Sequence, residues 1–235
     1  TIDLWKALNS LKPVRPMVAI DQIPWNEMNV DDELTLRTED DLCQRIETGL
    51  RRTLYRWKHM RADMVVEPYV DLPKVIRGTG FGVGIVEERA VTDPTSDVVG
   101  HRYEDQLPDE EYIEKIRAPD PVPDEEATAQ IEETAREVFD GILTVRMQGA
   151  RPTFAPLDRI VQLRGGQNVL YDLAARPAFM NALVARLSQA SQIMLDRLEE
   201  RGLLGLPHGI IHCTGAYTDE LPAPGFDPEW PRALD

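Results

Sequence analysis

The chain is poor in cysteine: only Cys43 and Cys213 occur in 235 residues. Two thiols so far apart make no disulfide framework, and they suggest a reducing compartment, the cytoplasm. No run of about 18 apolar residues is present, so no membrane span is expected. Basic residues are in deficit as well, 26 Lys and Arg against 41 Asp and Glu, for a net charge of −15. That balance argues against nucleic acid and anionic membranes as partners, since both demand clustered cations. It also disfavours substrates with many carboxylates. A CxxC pair, a G-x-S-x-G elbow and an H-E-x-x-H helix are all missing, and with them the chemistries those spacings serve. The start, Thr1-Ile-Asp-Leu-Trp5, has no initiator Met and no signal-peptide core. Residues 229 to 235 look like the opening of another helix, so both ends read as cuts in a longer protein.

What is present is a hydrophobic content of 42%, enough for a sizeable core. Ile2, Leu4, Trp5, Leu8 and Leu11 have roughly helical spacing, and Pro13 and Pro16 stop them. Met17 to Ile20 is a short apolar run, a first strand, followed by the loop from Asp21 to Met28. Thr38 with Asp41 resembles a capping box. Behind it Leu42, Ile46, Leu50, Leu54 and Trp57 mark one helix face. Met64 to Val66 is a second strand, and in an extended chain Val65, Glu67, Tyr69 and Asp71 share a face. Residues 78 to 106, punctuated by Gly78, Gly80, Gly82 and Gly84, read as a β-hairpin excursion. The acidic, proline-rich residues 105 to 125 read as a solvated connection. Asp124 opens a helix that Gly141 ends. Ile142 to Met147 is a third strand, and two short helical pieces flank Arg164-Gly-Gly166. Pro177 starts a long helix that stops at Gly202. His208 to Cys213 is a fourth strand. Strands alternating with helices imply an α/β fold with a parallel sheet.

Gly209 to Pro222 draws notice because an apolar run becomes a loop crowded with His212, Cys213, Thr214, Tyr217, Thr218, Asp219 and Glu220. Polar loops at the C-terminal ends of strands are where α/β proteins place their sites. His212 and Cys213 are zinc-type ligands. Adjacent strand residues point to opposite faces, however, so the pair is expected to line substrate rather than hold metal, and no residue is assigned as a metal ligand.

Gly166-Gln-Asn-Val-Leu-Tyr-Asp-Leu-Ala-Ala-Arg-Pro-Ala-Phe-Met180, with the long helix behind it and Arg201-Gly202, resembles the middle of the uroporphyrinogen decarboxylase superfamily. Arg15-Pro-Met-Val, Asp21-Gln-Ile-Pro-Trp25 and Leu54-Tyr-Arg-Trp-Lys-His-Met60 before Asp63-Met-Val-Val-Glu67 resemble an anaerobe-associated branch of it. The set spans most of residues 12 to 222. The resemblance implies the N-terminal part of a (β/α)8 TIM barrel, one incomplete domain over residues 1 to 235. It has an inserted β and loop excursion, residues 78 to 123, after the second strand. A half barrel leaves two sheet edges open, so aggregation or pairing, including a homodimer, is expected of these residues alone.

Two chemistries go with the superfamily. One is cofactor-free decarboxylation of tetrapyrrole acetates, with an Arg-rich first loop, Arg-Gln-Ala-Gly-Arg. The other is methyl transfer between a corrinoid and a thiol held by zinc. Here the loop reads Asp21-Gln-Ile-Pro-Trp25, without arginine, which favours the second. The zinc ligands of that branch include a spaced His-x-Cys pair, and the expectation is that zinc binds outside this chain and the corrinoid rides on a partner protein. Asp21 and Glu67 are the catalytic candidates; Trp25, Asp71, Arg146, His212, Cys213 and Tyr217 line the substrate mouth. If the carboxylates converge in an apolar mouth, at least one pKa should rise. Arg146, in a buried strand pattern, must be paired, with Glu67 or with a substrate anion as the two readings. The alternatives to methyl transfer are tetrapyrrole decarboxylation and an inactive barrel serving as a binding or scaffold subunit.

Overall fold

In a computed structural model, which describes residues 1–94, 99–206, 209–211 and 214–233, three helices come first, short strands follow, and only around residues 125–148 do strand and helix alternate singly. The helices are α1 (Ile2–Asn9), α2 (Trp25–Met28), α3 (Asp41–His59), α4 (Glu125–Phe139), α5 (Pro156–Arg164), α6 (Gly166–Ala175) and α7 (Pro177–Glu200). The strands are β1 (Tyr69–Pro73), β2 (Ile76–Arg77), β3 (Glu87–Ala90), β4 (Gly100–Tyr103), β5 (Val122–Pro123), β6 (Thr144–Gln148), β7 (Ile210–Ile211) and β8 (Thr214–Gly215). A 3-10 helix covers Glu110–Lys115. The fold is mixed α/β, and among the described residues no barrel closes.

Local chemistry sets the helix ends. The Asp40 carboxylate accepts the Leu42 and Cys43 amides at 3.0 and 2.9 Å and caps α3, so the cap sits between the two residues expected to share it. Thr38 instead donates to Glu47 on α3. Asp124 caps α4 through the Ala127 amide at 3.0 Å. Pro156 and Pro177 occupy the first turns of α5 and α7, where a missing N–H leaves no broken bond. Gly165 (φ 82°) divides α5 from α6, and Gly202 (φ 62°) ends α7, both in the left-handed region that glycine tolerates.

β1 and β6 run parallel, with Asp71 opposite Arg146 and Pro73 opposite Gln148. One face of the pair buries Leu72 and Val145 against Ile46 of α3 and Ala135 and Phe139 of α4. Beyond β6, Ala150 forms a parallel bridge to Leu204. Gly149 lies so close to the Leu203 and Leu204 carbonyls that a Cβ has no room there. Ahead of β1, the Val18 carbonyl accepts the Asp63 amide at 3.0 Å, and the Val18 amide donates to the Asp63 carboxylate at 2.9 Å.

Several expected strands move. Met17–Ile20 and Met64–Val66 are not strands; the second strand begins at Tyr69. The parallel contact expected of the fourth strand is made by Leu204, ahead of the expected 208 to 213 run, and Ile210–Ile211 pairs antiparallel with Thr214–Gly215. His208, His212, Cys213 and Val98 lie outside the described residues. Only the first half of the α3 stripe is covered: Ile46 is buried, whereas Leu54 is 68% exposed.

The excursion is closed at its base by β2 and β5, antiparallel with Ile76 opposite Pro123, and carries the β3–β4 hairpin. Residues 105 to 125 are not a solvated connection. Leu107 and Ile116 are fully buried with Ile113 against Ile160 and Leu163 of α5 and Phe179 and Leu183 of α7. The prolines explain how. Pro119 and Pro121 lack an N–H, so this strap presents carbonyls that need donors. Arginines supply them: Arg186 reaches the Ile116 carbonyl at 2.9 Å, Arg197 that of Pro119 at 2.5 Å, and Arg201 that of Pro121. Beneath the strap the buried Asp172 takes the Arg164 guanidinium at 2.6 Å, and Arg164 also donates to the Leu107 carbonyl at 2.6 Å and to Asp105 at 2.8 Å. No helix among the described residues is long and apolar enough to cross a membrane.

Candidate functional site: the polar face of β1 and β6

The face of the β1–β6 pair opposite the helices is polar, because side chains alternate along a strand. Tyr69 and Asp71 stand on it from β1, Arg146 and Gln148 from β6. Arg146 donates to Asp71 through Nε to Oδ1 at 2.8 Å and Nη2 to Oδ2 at 3.0 Å, a bidentate fork. Its guanidinium carbon lies 3.4 Å from the Tyr69 ring centre. The Asp71 hydrogen bonds raise the Arg146 pKa above its ordinary value, so the cation is permanent. Gln148 is buried; its Nε2 donates to Asp71 Oδ1 at 3.1 Å and its Oε1 accepts the Leu206 amide at 3.0 Å. One amide therefore ties β1, β6 and the segment after Leu204 together.

Arg146 is thus paired with a neighbouring-strand carboxylate, but with Asp71, not Glu67. The distinction is one of register: Glu67 precedes β1, four residues before Asp71, roughly 13 Å along an extended chain.

Glu67 belongs with Tyr217. The Tyr217 phenol is held above its ordinary pKa, chiefly by burial and further by the negative charge of Glu67. Tyr217 keeps its proton at neutral pH and can donate it in a hydrogen bond, while Glu67 can accept one. The loop that carries Tyr217 is fixed by α1. Asn9 Nδ2 donates to the carbonyls of Gly215 and Tyr217 at 2.8 and 2.7 Å, and Lys6 meets Asp219 at 2.5 Å. Gly209 and Gly215 lie directly on the rings of Tyr217 and Trp5, where a Cβ would collide. Trp5 in turn donates to the Asp63 carbonyl at 2.9 Å.

The remaining candidates are elsewhere or not described. Trp25 packs edge-on against Tyr55 of α3, ring centres 5.9 Å apart, with Arg52 5.1 Å from its ring centre. It packs on α3 rather than standing on the polar face. Asp21 is exposed on the segment leading into α2. His212 and Cys213 lie outside the described residues. Among the described residues no group of three or more His, Cys, Asp or Glu could hold a metal ion. Sequence reasoning missed Tyr69, Gln148 and Asn9 as site members. The first two were one strand period away from Asp71 and Arg146; Asn9 left no signal, because its partners are more than 200 residues distant.

No family model, curated protein or solved structure matches the chain.

The chemistry of this face is that of a charge-balanced platform. A guanidinium already forked by one carboxylate has little left to offer a polyanion. Tyr69 adds an aromatic wall against the guanidinium, and Tyr217, kept protonated by burial and by the charge of Glu67, adds a hydrogen-bond donor near Tyr69. Such a surface suits a small, polar, weakly charged molecule.

Proposed function

We propose that the chain is the N-terminal part of a uroporphyrinogen decarboxylase-superfamily barrel that works in corrinoid-linked methyl transfer to or from a small acceptor such as a thiol. The observation that supports this most is the layered β1–β6 unit, with α3 and α4 against one face and Tyr69, Asp71, Arg146 and Gln148 on the other. A parallel strand pair with helices packed on one face is the repeating unit of a barrel wall, and polar groups on the inner face mark the site end of such a wall. The neutralised Arg146 favours methyl transfer over tetrapyrrole decarboxylation, which requires cations free to hold several carboxylates. When bound, a corrinoid supplies a transferable methyl group. This chain's part is to bind and orient the acceptor between Tyr69 and Tyr217, with Glu67 as the hydrogen-bond acceptor at its edge. Zinc ligands belong, on this reading, to residues outside the chain.

The test is to incubate the full-length protein with methylcobalamin and a thiol, and separately with a porphyrinogen. Methyl transfer that drops at least tenfold in Tyr217→Phe supports the reading. Decarboxylation of the porphyrinogen overturns it in favour of the second chemistry, and activity on neither substrate leaves the scaffold reading.

A further inference from the structure

Beyond the C-terminal end of β6 a second cleft opens, of about 560 Å3, between the exit loop 150–154 and the flank of α7. That volume is in the range of small-molecule sites. Among the described residues its lining contains no Asp or Glu, although the chain holds 41 of them. The cleft under the β3–β4 hairpin, by contrast, includes Glu104 and Asp105, and the groove along α3 includes Asp71. Two arginines, Arg151 and Arg232, contribute to the cleft beyond β6. Arg151 is exposed and has no carboxylate partner among the described residues. Glycine at 205 leaves room for it, since a Cβ there would come within 3.1 Å of the Arg151 side chain and 2.7 Å of the Gly149 carbonyl oxygen.

The rest of the lining is divided by polarity. Ser191 and Gln192 of α7 offer a hydroxyl and an amide, while Met194, Leu195 and Leu204 form an apolar floor. Phe154, 56% exposed, and Phe81 supply aromatic surface at the edge. Exposed aromatic carbon beside a cation with no carboxylate partner among the described residues, in a strongly acidic protein, is an arrangement with a definite complement. A bare phosphate would leave the floor and both rings without a counterpart, and a cation would meet the Arg151 guanidinium.

We propose that this cleft binds a small organic monoanion, a carboxylate with an apolar body of about six carbons, its head toward Arg151 and its tail over Leu195 and Phe154. Its lining shares no residue with the polar face of β1 and β6, so it stands whether or not methyl transfer is the activity.

Ligand-observed NMR on the full-length protein tests this with hexanoate, hexylamine and inorganic phosphate as probes. Saturable hexanoate binding is expected, weakened at least tenfold in Arg151→Gln and abolished in Ser191→Trp, which fills the cleft. The exposed Arg151 can be replaced without loss of the fold, and an unchanged melting temperature verifies that. Hexylamine binding as well as hexanoate, hexanoate binding indifferent to both substitutions, or no hexanoate binding at all would each overturn the proposal. Displacement of hexanoate by equimolar phosphate would also overturn it, by showing that the apolar body contributes nothing.

Discussion

Asp71 shows how much one carboxylate organises. It receives both arms of the Arg146 fork and the Gln148 amide, so it joins two strands through side chains as well as through the backbone ladder. Asp71→Asn keeps the shape but removes the charge, and hydrogen bonds to charged groups contribute about 1.5–3 kcal/mol each in such settings. A fall of about 1–3 kcal/mol in urea-unfolding stability is expected; an unchanged midpoint would mean that the Tyr69 ring alone holds Arg146. At Tyr217 the expected signature is optical. Burial and Glu67 raise its pKa above 10, so an alkaline absorbance titration should contain a late-ionising tyrosine that Tyr217→Phe lacks. Below pH 10 that phenol is neutral in both folded and unfolded chains. Its contribution to stability is therefore full there and declines as pH rises from 10 through the folded pKa. The Arg146 partner was half-legible in the sequence. Alternation placed Asp71 and Glu67 on one face, but register decides between them, and register is set by packing on α3 and α4 rather than by any local residue.

Among the elements, helix caps and breaks were the most legible, since Asp124, Pro177 and Gly202 act on their own neighbours. The strap was the least. Its acidic, proline-rich composition is that of a solvated linker, and what buries it comes from α5 to α7, 57 to 81 residues away for the bonds made by Arg164, Arg186, Arg197 and Arg201. Two substitutions separate the layers of this arrangement. Asp172→Ala leaves Arg164 buried without its main partner, and broken buried pairs lose about 3–5 kcal/mol. Chemical denaturation should show that loss, and a change below about 1 kcal/mol would show that Asp105 and the Leu107 carbonyl suffice. Replacing Arg197 and Arg201 together by Ala should free only the strap's end. Limited proteolysis is then expected to cut near residues 117–123 before the rest of the chain unfolds, whereas uncut strap would assign its hold to Leu107 and Ile116 instead.

For the molecule as a whole, the net charge of −15 sets the response to acid. Two carboxylates are held at a pKa of about 2: Asp63 mainly by the Arg15 guanidinium and the Val18 amide, and Glu47 mainly by the Arg37 amide with Thr38 and Arg51. Both are depressed from ordinary values of 3.8 and 4.5, so what they contribute is complete above pH 4.5 and is lost as pH falls toward 2. Circular dichroism across that window should show destabilisation, and Asp63→Asn should flatten its slope. A slope identical to that of the wild type would remove Asp63 from the account. Asp63 holds Arg15 and Val18, and Glu47 holds Arg37 and Thr38 to α3, so acid should loosen these N-terminal contacts. The α/β class was readable from the order of strands and helices. The positions of the first, second and fourth strands were not, since short apolar runs carry no mark of where a neighbour will pair.

The strap is held by the oxygen atoms of its peptide groups, with the α7 side chains as donors. Every residue type has that oxygen, so the strap's own letters are nearly free to change wherever they face solvent. The arginines opposite are not. Related chains should therefore vary most in the segment that covers this core and least in the helix that grips it, and a comparison of sequences would register the cover only as a pattern of arginines spaced along α7.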